Sequence, residues 1–136
     1  GVRTGMHVCR GNWSRQEDVL LTGDYAPLLP AFTAMHVRQF VLEYATPRAG
    51  PLATLRRLPK SSRIGLGAVN PRTSEVEAVP AIVARVRELE RVVAPQRIHL
   101  NPDCGFGTFA DRPMADAATA EKKLAALVAA AKALSG

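Results

Sequence analysis

At 136 residues, 47% hydrophobic and 22% charged, the chain has room for one ordinary domain with its own core and is not disordered by composition. It has no 18-residue apolar run and no signal-like basic and apolar start, so no membrane span and no secretion are expected, and a cytoplasmic setting is. The net charge of +6 raises nucleic acid as a partner, but Arg85, Arg87 and Arg91 alternate with Glu88 and Glu90 and aromatics are only 5%, so a solvated basic surface without nucleic acid is expected, with small anions left open.

The chain opens without Met and almost inside a strand, so residue 1 need not be the natural start. Residues 3–9 are a strand candidate ending at His7-Val8-Cys9, broken by Gly11-Asn12. Ser14 and Glu17 then have the spacing of a capping box, which predicts a helix running through Leu21 to Gly23. A second helical piece is expected over 26–35, with Pro27 tolerated in its first turn. Gln39–Tyr44 is a near-continuous apolar run, the pattern of a parallel strand covered on both faces. A short helix over 51–58 follows, ended by Pro59.

Arg63–Val69 is the third strand, and its glycines suit crowding inside a barrel or the close approach of another backbone. Ser74 and Glu77 again read as a capping box. Val79, Ile82, Val83, Val86, Leu89 and Val93 then recur at helical spacing, up to Pro95. The fourth strand, 97–101, leads into Asn101-Pro102-Asp103-Cys104-Gly105-Phe106-Gly107. A last helix over 113–134 would bury Ala120, Leu124, Leu127, Val128, Ala131 and Leu134.

Four βα units in succession imply a parallel α/β sheet with right-handed crossovers: a small open sheet, or half of an eight-stranded barrel. Three of its strand exits carry reactive side chains: His7 and Cys9, Glu43, and Cys104. The C-terminal ends of parallel strands are where barrels and doubly wound sheets place their sites, so the topology brings these residues to one end. His7 and Cys9, two apart on a strand, point the same way. With Glu43 and Cys104 they offer the N, S, O and S donors that suit a Zn2+ ion; two packed thiols and an ordinary histidine are the alternative. Glu43, at the end of Phe40-Val41-Leu42, needs a cation to offset its desolvation, whether a metal, Arg48 or Arg10.

His7-Val8-Cys9-Arg10-Gly11-Asn12, Leu42–Gly50 and Asn101–Phe106 together resemble the cobalamin-independent methionine synthase family, and more closely its short single-barrel relatives, including the epoxyalkane–coenzyme M transferases. The resemblance runs in order over nearly the whole chain and matches the last four βα units of a TIM (β/α)8 barrel. It implies that residues 1–136 form the C-terminal half of a zinc barrel whose N-terminal half is absent. It also implies Zn2+ held by His7, Cys9, Glu43 and Cys104, activating a homocysteine-like thiol for methyl transfer. The alternatives are the coenzyme M chemistry, with an epoxide as the alkyl donor, and a non-catalytic zinc-binding module. Asn101 and Asp103 would hydrogen-bond around the metal loop or shape its turn; Arg10, Arg48 and Arg72 would meet an anionic substrate group or remain surface charge. Trp13 and Phe106 would wall the pocket or, more simply, pack in the core, and His36 and His99 are read as rim or core histidines. A lone half barrel would expose two sheet edges and a large apolar face, so a missing half or self-association is expected.

Overall fold

The computed structural model describes residues 1–136. Four strands, β1 (Gly5–Val8), β2 (Gln39–Leu42), β3 (Arg63–Val69) and β4 (Ile98–Pro102), form one parallel sheet in the order β1-β2-β3-β4. Sequential order in a parallel sheet is the pattern of barrel strands, each joined to the next by a crossover on one side. The crossovers hold α1 (Leu29–Ala34), a 3-10 helix at Leu52–Arg57 and α2 (Val79–Glu90), while α3 (Ala117–Ser135) follows β4. No helix is long and apolar enough to cross a membrane.

Alternation along the strands decides which residues meet the helices. Phe40, Leu42, Ile64 and Leu66 point to the helical side, where Tyr25, Leu29, Phe32, Leu52, Leu55, Val86 and Leu89 complete the main core. A smaller cluster joins Ala68 and Val69 to Ile82 of α2 and Ala126, Leu127 and Ala130 of α3. The other face of the sheet carries no helix, so β2 is covered on one face rather than the two expected. That face is also not the large apolar surface expected of a half barrel. It presents His7, Gln39, Arg63, His99 and Asn101, with Val41 among them, all exposed or half-buried. The outer edges of β1 and β4 are open, as expected.

Gly65 and Gly67 explain how two polar side chains of β4 and its loop lie across β3. A Cβ on Gly65 would meet Asn101 Oδ1, and one on Gly67 would run into Asp103 Oδ1 and lie 2.8 Å from the Leu42 carbonyl oxygen. The glycines therefore serve the close approach that their sequence pattern suggests. Gly67→Ala should cost about 1–3 kcal/mol, the range for overpacking a filled site. Chemical denaturation measures it, and an unchanged midpoint would show that Asp103 moves aside freely.

Three elements differ from expectation. The helix expected after Ser14 is reduced to a 3-10 turn at Glu17–Val19, because Glu17 reaches Arg72 and Arg48 instead of capping. Likewise Ser74 and Glu77 form no capping box: Ala78 is the N-cap of α2, and Glu77 accepts from the Asn70 N–H and from Lys123. In α3, capped by Asp116 through the Thr119 N–H, the buried stripe is Lys123, Ala126, Leu127 and Ala130. Lys123 turns inward to Glu77 and the Glu75 carbonyl, which rotates the helix and leaves Leu124 45% and Val128 55% exposed.

Candidate metal centre

His7 lies in β1, Cys9 just beyond its end, Glu43 directly after β2, and Cys104 two residues beyond β4. Because the four strands are parallel, all four residues arrive at the same end of the sheet. One ligand atom from each, a His ring nitrogen, a Glu carboxylate oxygen and the two Sγ atoms, lies within 4.8 Å of all the others. The two sulfurs are 3.9 Å apart, far beyond disulfide length, and both thiols are free. Two thiolates about 2.3 Å from a tetrahedral Zn2+ sit about 3.8 Å apart. The donor set and the sulfur spacing thus fit zinc.

The surroundings orient each candidate ligand. His7 Nδ1 is 3.1 Å from the Val41 carbonyl oxygen. A carbonyl only accepts, so Nδ1 carries the proton and Nε2 is left as the donor atom for a metal, a common arrangement for histidine ligands. Glu43 is 1% exposed; its Oε1 accepts from the Arg10 N–H at 3.0 Å and its Oε2 pairs with Arg48 Nη2 at 2.5 Å. The ion pair and the metal-ligand reading of Glu43 are therefore compatible, since each carboxylate oxygen keeps a further lone pair. Burial, and then the neighbouring Cys9, push the Cys104 thiol up to about 11. Without a cation Cys104 keeps its proton at neutral pH; a bound divalent ion is what would release it.

Asp103 crosses beneath the site. Its Oδ1 accepts from the N–H groups of Tyr44 and Ala45, both at 2.8 Å, and its Oδ2 lies 3.4 Å from Arg72 Nη2. It ties the Cys104 loop to the residues that follow Glu43. Asn12 holds the same loop from the other side, donating to the Gly105 carbonyl at 2.8 Å and to the Thr108 hydroxyl. Gly11 has φ 111°, a conformation few side chains tolerate, and turns the chain from Cys9 towards Asn12. The Asn101 side chain donates to the Pro102 carbonyl and makes no hydrogen bond to His7, Cys9, Glu43 or Cys104.

The three arginines are not surface charges: each side chain is buried and already engaged. Arg10 is 6% exposed, stacks over Tyr25 at 4.8 Å and donates to the carbonyls of Leu21 and Arg48. Arg48 holds Glu43, and Arg72 is wedged between Glu17 and Asp103. Trp13 is 48% exposed rather than in the core, while Phe106 packs partly against the smaller cluster. His36 is exposed, and His99 lies beside Arg63, both away from the ligand group. The sequence reading missed Glu17 and Tyr25. Tyr25 accepts the Glu43 N–H at 3.0 Å through its hydroxyl; in the sequence it stands only as one more aromatic beside Pro27.

The family model described as the catalytic domain of cobalamin-independent synthase matches residues 7–133. Over 105 residues the chain is 30% identical to a methionine synthase of Pyrococcus horikoshii and 31% identical to an uncharacterized Bacillus subtilis protein, YxjG. These alignments take in 77% and 76% of this chain but 27% of either relative, so the chain spans about a quarter of their length. Among solved structures, a Shewanella B12-independent methionine synthase in complex with selenomethionine superposes with a TM-score of 0.80 at 18% identity, over 97% of this chain and 38% of that one. A Listeria monocytogenes chain does so with a TM-score of 0.63 at 24% identity, over 97% and 35%. At these identities the likeness is one of fold, and it makes the four-stranded sheet a partial TIM barrel. With the match running from His7 to beyond Cys104, the chain belongs to the cobalamin-independent synthase catalytic-domain family.

Proposed function

We propose that residues 1–136 are the zinc-bearing C-terminal half of a thiol methyltransferase barrel, in which His7, Cys9, Glu43 and Cys104 hold Zn2+. The observation that carries this is the gathering of one nitrogen, two sulfurs and a carboxylate oxygen within 4.8 Å at the C-terminal end of the sheet. When bound, zinc supplies a Lewis acid that keeps a homocysteine-like thiol ionised at neutral pH, ready to accept a methyl group. The chain's own residues prepare that place. His7 is fixed in one tautomer by the Val41 carbonyl, Glu43 is aimed by Arg10 and Arg48, and the Cys104 loop is pinned by Asp103 and Asn12.

Held by four protein donors, zinc would have room for a thiol only if one of them could withdraw. Glu43 is suited to do so, because Arg48 and the Arg10 N–H already receive its carboxylate. The contacts that choose the thiol and the methyl donor belong to the other half barrel, which the open edges of β1 and β4 and the uncovered polar face would receive. Free thiols kept for a metal suit a reducing compartment, and we place the protein in the cytoplasm.

The test is elemental analysis of the purified chain after reconstitution with Zn2+, followed by homocysteine addition to the Co2+-substituted chain. About one metal per chain and a rise in sulfur-to-cobalt charge-transfer absorption on adding the thiol are expected. A chain that takes up no metal overturns the reading. Metal uptake without any response to homocysteine or to coenzyme M reduces the chain to a zinc-binding module.

A further inference from the structure

Glu17 reads in the sequence as part of a helix cap, yet it forms none. It stands on the 3-10 turn between β1 and α1 and meets two arginines, Arg48 and Arg72. Its Oε1 accepts from Arg72 Nε at 2.8 Å and from Asn70 Nδ2 at 3.0 Å. Its Oε2 lies 3.1 Å from Arg48 Nε, a charge contact without hydrogen-bond alignment. Beyond those arginines come Glu43, paired with Arg48, and Asp103, paired with Arg72. The five side chains form one line, Glu43–Arg48–Glu17–Arg72–Asp103, and Glu17 is its midpoint.

We propose that Glu17 is a positioning residue for the metal centre, setting Glu43 and the Asp103–Cys104 loop relative to one another through Arg48 and Arg72. This rests on the reading of His7, Cys9, Glu43 and Cys104 as metal ligands. Arg48 and Arg72 have side chains 6% and 0% exposed, so neither can turn to water for a counter-charge. Glu17 and Glu43 are the only carboxylates paired with Arg48. Removing Glu17 leaves Glu43 alone to answer that guanidinium, which draws its Oε2 away from a metal. Arg72 in turn leans wholly on Asp103 and shifts the loop that carries Cys104. Glu17 is ionised as this role requires: burial opposes its charge, but hydrogen bonds from Arg72 and Asn70 and the two guanidinium charges hold its carboxyl below the usual range.

The test is a Co2+ titration of the whole chain followed by absorption, with Glu17→Ala, Glu17→Gln, Glu43→Gln and the double variant Glu17→Ala/Glu43→Gln. Glu17→Ala should weaken Co2+ binding by about 10–100-fold, the usual effect of losing an outer partner of a ligand. Its cobalt d–d bands should move as the carboxylate ligand is displaced, while the sulfur-to-cobalt band keeps its two-thiolate intensity. Glu17→Gln, which keeps an accepting oxygen but not the charge, should fall between Ala and wild type. The double variant should fall short of the summed single effects, because the part of the Glu17 effect that runs through Glu43 is already lost in Glu43→Gln. Unchanged affinity and bands in Glu17→Ala overturn the proposal. Weaker binding with unchanged bands and additive effects also overturns it, since general loosening explains that result. If Glu17→Ala does not fold, Glu17→Gln carries the test with the same outcomes. A wild-type chain that binds no Co2+ overturns the ligand assignment itself, and the role of Glu17 with it.

Discussion

Replacing Cys104 by Ser should lower the affinity of the chain for Zn2+ by about 100-fold or more while leaving the metal-free fold intact. Apparent binding energies of about 10–16 kcal/mol for four-ligand structural zinc sites put one ligand at roughly 3–4 kcal/mol, two to three orders of magnitude. Serine keeps the shape of the side chain, but its hydroxyl ionises far too weakly to replace a thiolate. The metal-free chain has little reason to miss the sulfur. Cys104 is only half-buried, its thiol is held protonated, and its one side-chain hydrogen-bond-range contact is Cys9 at 3.9 Å. Competition against a chromophoric zinc chelator measures the affinity, and thermal unfolding of the metal-free protein measures the fold. Equal zinc affinity in wild type and Cys104→Ser would remove Cys104 from the ligand set. A collapse of the metal-free fold would instead make Cys104 a packing residue.

The sequence carried the candidate ligand group more clearly than it carried the scaffold around it. His7, Cys9, Glu43 and Cys104 were legible because each follows a short apolar run, and parallel strands deliver such exits to one end. The strands themselves were legible to within about two residues, since alternating and continuous apolar runs are governed by burial alone. The two capping boxes were not, because Glu17 and Glu77 match the local pattern but are taken by distant partners, Arg72 and Arg48 in one case and Asn70 and Lys123 in the other. The same blindness affected the arginines. Arg10, Arg48 and Arg72 stand next to glycine or proline in loops and read as surface charge, yet each is buried against carboxylates, carbonyls or an aromatic ring. In α3 the apolar positions alone gave a stripe through Leu124 and Val128, and only the contact between Lys123 and Glu77 fixes the true rotation. Leu124 and Val128 are left exposed by that rotation.

Asp103→Ala should be the most destabilising single change near the site, at about 3–5 kcal/mol, a large share of the 5–15 kcal/mol typical of a folded domain. Two backbone N–H groups, those of Tyr44 and Ala45, lose their acceptor together. A donor left unsatisfied costs about 1–3 kcal/mol when buried. Arg72, fully buried, keeps only Glu17 as a counter-charge. Water has little access, because Asp103 is 1% exposed and lies against Gly67. Asp103→Asn separates the contributions. Its amide oxygen can still accept from Tyr44 and Ala45, but its NH2 then faces the Arg72 guanidinium, so a smaller loss of about 1–2 kcal/mol is expected. Burial pushes the Asp103 carboxyl up to about 6, so denaturation is best followed at a pH well above that value, where the carboxylate form is compared with the amide. If Asp103→Ala stays within about 1 kcal/mol of wild type, the two N–H groups find another acceptor and the cross-link is not structural. If Asn costs as much as Ala, the Arg72 charge pair, not the backbone acceptor, is what holds the Cys104 loop against the strand end that bears Glu43.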